Sequence, residues 1–193
     1  MKLKTFLSSV VCALALLLPS VSNALEKGDK ILVAYFSQTG NTERLAEDLL
    51  KGLTDYDVTL TKIINVDPYP EKMEELGPRV AAERERGILP EIALSNYIHD
   101  IHNFDAVLLG TPIWHDHAPM PVLSFLNKYP LTDANKLAVF ITSGTSEPTN
   151  ILSDIESVAK QPVAVFMHYR PGIESGMVRG ERYSNFIDEV SEL

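Results

Sequence analysis

From residue 30 onward, short apolar runs alternate with stretches whose apolar positions recur every three or four residues. Lys30–Phe36 (KILVAYF) is almost continuously apolar, the pattern of a strand buried on both faces. The partly alternating segment Tyr56–Ile63 and the apolar runs Asp105–Gly110, Lys136–Ile141 and Val163–Met167 predict four more strands. Leu45, Ala46, Leu49, Leu50 and Leu53 are spaced for a helix over Asn41–Leu53. Helical spacing also marks Pro119–Tyr129, with proline near the start where it is tolerated, then Asn150–Ala159 and Tyr183–Leu193. Between 65 and 94 the pattern loosens around Pro68, Pro70, Pro78 and Pro90, and only the charged segment Arg79–Arg86 predicts a helix. Five strands alternating with helices predict a three-layer, doubly wound α/β domain with a five-stranded parallel sheet. In such domains ligands bind beyond the carboxyl ends of the strands, which singles out the loops 37–42, 111–119 and 142–150.

The head of the chain has a different pattern. Lys2 and Lys4 precede an apolar run from Phe6 to Leu18, followed by Pro19, with Ser22 and Ala24 at the −3 and −1 positions of a small-residue cleavage site. This layout predicts a secretory signal peptide over residues 1–24, the domain occupying 25–193 and the protein being periplasmic or secreted. The apolar run is shorter than the ~20 residues that span a bilayer, so no stable membrane anchor is expected after cleavage; the alternative is an uncleaved membrane anchor. Val11 before Cys12 argues against lipid attachment there.

Composition sharpens this division. The 193 residues carry a net charge of −9 and a single cysteine. The leader contains that cysteine and two of the positive charges, so the domain is cysteine-free and more acidic than the whole chain. Disulfides, thiolate ligands and cysteine nucleophiles are thereby excluded from the domain. Strong acidity argues against nucleic acid and anionic membranes and suits a basic partner.

The first loop carries the sharpest chemistry. In Ser37-Gln38-Thr39-Gly40-Asn41-Thr42 three hydroxyls can donate to an anion, and Gly40 lets the backbone turn tightly. The first amides of the following helix add the positive end of its dipole, so a phosphate can be held without a lysine. The loop lacks the Gly-Lys-Ser/Thr ending of a Walker A motif and the three glycines of the dinucleotide fingerprint. The competing reading is a polar turn with Asn41 or Thr39 as helix cap.

Tyr35-Phe-Ser-Gln-Thr-Gly-Asn-Thr42 resembles the phosphate loop of flavodoxins, which bind flavin mononucleotide (FMN). Asp67-Pro-Tyr-Pro70, Leu89-Pro-Glu-Ile92, Gly110-Thr-Pro-Ile-Trp114, Pro121–Leu126 and Phe140-Ile-Thr-Ser-Gly144 follow in the order of one bacterial flavodoxin-like group. The resemblance implies sheet order 2-1-3-4-5. It implies FMN contacts from Ser37, Gln38, Thr39, Gly40, Asn41 and Thr42, from Pro112, Ile113, Trp114 and His115, and from Ser143, Gly144, Thr145 and Ser146. Trp114, the sole tryptophan, would stack on the flavin ring, or else simply pack over the strand ends. Where the family pattern reads Pro-Ile-Trp-Trp-Gly, this chain has His115 and Asp116 in the last two places. In an extended segment His115 and His117 would share one side, which a metal could use, or they would be solvated; a proton-donor role for His117 is a further option. His99 and His102 are expected at the surface. Ser143 and Gly144 would offer backbone donors to the flavin, and Glu147 would oppose negative charge on it; the alternative is a Ser/Thr loop capping the next helix.

Three functions stay open at this point. One is an exported FMN protein passing electrons to a basic redox partner or a small acceptor, with no catalytic residue of its own. The second is an FMN-dependent reductase of quinones with a nicotinamide donor, and the third a flavodoxin-fold binding module without flavin. No twin-arginine pair precedes the apolar run, so export would be of the unfolded chain and flavin would be captured outside. A hydrolase is disfavoured by the missing Gly-x-Ser-x-Gly elbow.

Overall fold

A computed structural model describes residues 24–174 and 176–193. The predicted leader, apart from Ala24, lies outside the described residues, and Cys12 with it. Element order is β1 (Lys30–Phe36), α1 (Asn41–Leu50), β2 (Asp57–Asn65), α2 (Met73–Glu85), β3 (Ile92–Leu94), β4 (Ala106–Pro112), α3 (Met120–Lys128), β5 (Lys136–Thr142), α4 (Ile151–Ala159), β6 (Val165–Tyr169) and α5 (Gly176–Ser191).

The sheet order is β3-β2-β1-β4-β5-β6. Its five parallel strands follow the expected 2-1-3-4-5 order. The sixth strand is an addition: β3 pairs antiparallel with the end of β2, Ile63 opposite Leu94 and Asn65 opposite Ile92. Only Ile92 of its three residues is buried, so no apolar period announces it.

Residues 31–36 of β1 are all buried, alternating between two cores as a strand must. Leu32, Ala34 and Phe36 join β4, β5 and the apolar faces of α2, α3 and α4. Ile31, Val33 and Tyr35 join Leu108, Ala138 and Phe140 under α1 and α5. Three layers result, as predicted.

Two helices extend beyond their sequence pattern. α2 begins at Met73 and contains Pro78, because Leu76 and Val80 are buried and Arg79 anchors the helix. The Arg79 guanidinium donates to the carbonyls of Asp67 and Pro68, both at 2.9 Å, and pairs with Glu83. α5 starts at Gly176, ahead of its apolar face, which begins at Tyr183.

Candidate functional site

The loops after β1, β4 and β5 gather at the carboxyl edge of the sheet, where the strand order reverses between β1 and β4. Such a reversal opens a crevice between helices on opposite faces.

In the first loop Gly40 has φ +81° and precedes the helix; neither Asn41 nor Thr39 caps it. The first helical bond runs from Arg44 N to Gly40 O (3.0 Å), which leaves the amides of Asn41, Thr42 and Glu43 ahead of the ladder. Ser37 Oγ is buried and has no hydrogen-bond partner. A buried hydroxyl without a partner costs about 1–3 kcal/mol, so this atom is an acceptor or donor awaiting a ligand or water. Thr42 turns inward and its Oγ1 lies 2.8 Å from Thr142 Oγ1, tying the helix start to the end of β5. One proton makes that bond and the other stays free to point elsewhere. Gln38 Nε2 reaches only the carbonyls of Tyr69 and Pro70, at 3.4 and 3.5 Å. Thr39 is exposed, and its Oγ1 accepts from Asn41 Nδ2 at 3.4 Å.

Glu43 sits in the first turn of α1, where its charge would repel an anion. Burial raises its carboxyl, but Lys62 and the Tyr35 hydroxyl outweigh that and hold it below the ordinary value. The Lys62 ammonium lies 3.1 Å from both carboxylate oxygens. Tyr35 is pushed up, first by burial and then by Glu43, and donates to it at 2.9 Å.

In the second loop Ile113 N donates to Thr142 O (3.1 Å), joining it to the third loop, and Pro112 ends β4. The next residues are not extended. Trp114 and His117 bond to each other in both directions at 3.0 Å, and His115 (φ 48°) and Asp116 (φ 65°) form the tip of a tight turn. The two histidines therefore do not share one side. Positive φ at both tip positions is the geometry that matches two antiparallel strands. His115 and Asp116 are exposed, while His117 is drawn inward. Its Nδ1 lies 2.9 Å from Asp154 Oδ2, and the same oxygen accepts from Arg84 (2.6 Å) and from Ala118 N (3.0 Å). Arg84 also contacts His117 Nδ1. One carboxylate on α4 thus joins α2 to the turn. Spacings of tens of residues give no sequence signal for this cluster.

Trp114 is partly exposed and packs edge-to-face against Phe36 (5.3 Å, 86°) and Tyr69 (4.9 Å, 88°). Tyr69 is buried, donates to Glu83 Oε2 at 2.5 Å and lies under the Arg79 guanidinium at 4.4 Å. Tyr69 was legible only as part of Asp67-Pro-Tyr-Pro70; its place beneath Trp114 was not.

In the third loop Gly144 and Thr145 are exposed and Ser146 is partly buried. Ser143 Oγ donates to Ser146 O (2.8 Å) and lies 2.8 Å from His168 Nε2. With its own proton used, Ser143 can accept only if His168 carries hydrogen on Nε2. Burial, and then Arg170, push the His168 pKa down, so the ring is held neutral. Glu147 is tied to Arg170 at 2.9 Å. His99 is exposed, and His102, half exposed, pairs with Asp100.

Comparison with known proteins agrees with this geometry. A flavoprotein in complex with FMN from Lactobacillus acidophilus NCFM superposes with TM-score 0.62 at 20% identity, covering 81% of this chain and 99% of that one. A candidate flavoprotein from Bacteroides uniformis ATCC 8492 gives 0.65 at 24%, covering 80% and 98%. A short-chain flavodoxin associated with a bacterial microcompartment gives 0.52 at 16%, covering 84% and 96%. At these identities the likeness is one of fold. No curated protein matches the chain. A family model described as flavodoxin matches residues 30–172, most of the chain. The chain belongs to the flavodoxin family.

Proposed function

We propose that this protein is an exported FMN-binding electron carrier. The observation that carries the reading is the buried, unpartnered Ser37 Oγ beside Gly40, in a loop at the strand-order reversal. The residues present fit the cofactor. Ser37, the loop amides and Gly40 suit a phosphate; Trp114 offers an aromatic surface; Gly144 and Thr145 supply polar edges, whereas the expected backbone donor of Ser143 is taken by Tyr169 O (3.2 Å) and its hydroxyl by Ser146 O. Bound FMN would supply the electron-transfer chemistry, and the chain's part is to bind, orient and shield it.

The test is a visible spectrum of the purified protein and a titration with FMN. Flavin absorbance or micromolar binding is expected; no binding refutes the reading. Trp114→Ala should weaken FMN binding about tenfold, the effect of about 1.4 kcal/mol, within the range of aromatic stacking. Unchanged affinity would show that Trp114 only packs. Turnover of NADH or NADPH with a quinone separates a reductase from a carrier.

Export rests on residues 1–24. Peptide mapping of protein from its native compartment should find a mature start at Leu25. The acidic surface favours a basic partner or small cationic acceptor.

A further inference from the structure

We infer that Arg44 is the cationic ligand of an anionic group held at the 37–42 loop, and that it makes the site select phosphorylated over unphosphorylated flavin. This rests on the FMN reading above. Arg44 lies at the start of α1, and its Nη1 is the atom nearest to where a β-carbon on Gly40 would stand, at 4.0 Å. Its Nη2 donates to Asn41 Oδ1 at 2.5 Å, so the guanidinium is folded back over the loop.

The surrounding charges are accounted for differently. Glu43 is taken by Lys62, and Asp48 by Lys51 and Arg179. Arg179 also leans over Tyr169. Among the described residues Arg44 has no carboxylate within salt-bridge distance, in a chain of net charge −9. An arginine held by a neutral amide oxygen gains when that oxygen is exchanged for a phosphate oxygen, because attraction between opposite charges is added and the planar fork matches two phosphate oxygens. The cleft it borders also contains Glu47, Asp48 and a second cation, Arg179, which Asp48 already pairs. Ser37 Oγ, buried and without a hydrogen-bond partner, belongs to the same loop. The sequence reading assigned the anion to hydroxyls and amides alone; Arg44 adds a full charge.

The experiment titrates wild-type protein, R44Q and R44E with FMN and with riboflavin at low and high salt. FMN dissociation constants should rise about tenfold in R44Q and further in R44E, with riboflavin unchanged in both. Wild-type FMN affinity should fall more steeply with salt than that of R44Q. Equal FMN affinity in wild type and R44Q, or equal loss for both flavins, overturns the role of Arg44 and leaves FMN binding standing. A wild-type protein that binds no FMN overturns both.

Discussion

His115 and Asp116 occupy left-handed backbone, φ 48° and 65°, where a β-carbon crowds the chain. Asparagine and glycine are the residues that a tight turn of this kind favours. Asp116→Gly should therefore stabilise the protein by about 0.5 kcal/mol, the strain relieved exceeding the entropy glycine adds. In a domain of this size that is a rise in Tm of about 1–2 °C, readable by calorimetry; a fall would mean that Asp116 makes a contact of its own. Gly110 is the opposite case. A β-carbon there would lie 2.3 Å from Phe140 Cζ and 2.7 Å from Tyr35 Cβ, so the sheet and the ring would both have to move. Gly110→Ala should cost about 3 kcal/mol by overpacking, measured by denaturant unfolding.

The elements around the site are joined by a few polar side chains. Asp154 on α4 accepts from Arg84 on α2 and from the amide of Ala118 at the foot of the Trp114 turn. Asp154→Ala leaves two partly buried donors without an acceptor and should cost about 2 kcal/mol, lowering Tm by about 4–8 °C. Because the turn carries Trp114, the indole emission should also shift; unaltered emission would mean the turn holds by its own backbone bonds. Thr42 and Thr142 do for α1 and β5 what Asp154 does for α2 and α4.

Across the whole molecule, two groups link stability to pH in the same direction. His168 has a depressed pKa in the folded state, through burial and the charge of Arg170, so its contribution is complete above the unfolded value of 6.5 and is lost as pH falls through the folded value. Glu43 is also depressed, so it adds a second loss at lower pH, below the ordinary 4.5. Tm should fall on acidification from pH 8 to 5, and His168→Gln should flatten that slope; an unchanged slope would acquit His168. Net charge acts at this scale too: under the proposed carrier role, electron transfer to a basic partner should slow as salt is added.

Local apolar periodicity was enough to predict the five parallel strands, the loops between them and the site edge, because β1, β4 and β5 bury both faces, β2 and β6 keep a partly buried pattern, and the helices bury one face. The phosphate-type loop was legible because its chemistry is contiguous, from Ser37 to Thr42. Long-range contacts decided the rest. β3 has three residues and exists by pairing with β2; α2 accepts Pro78 because Arg79 and two buried side chains hold it. The union of Arg84, His117 and Asp154 and the seat of Tyr69 beneath Trp114 depend on which segments the fold brings together. Sequence alone determined what the chain could bury and where its hydroxyl-rich loop lies; tertiary structure decided which polar groups are satisfied within the protein, since hydrogen bonding depends on positions in space rather than on spacing along the chain.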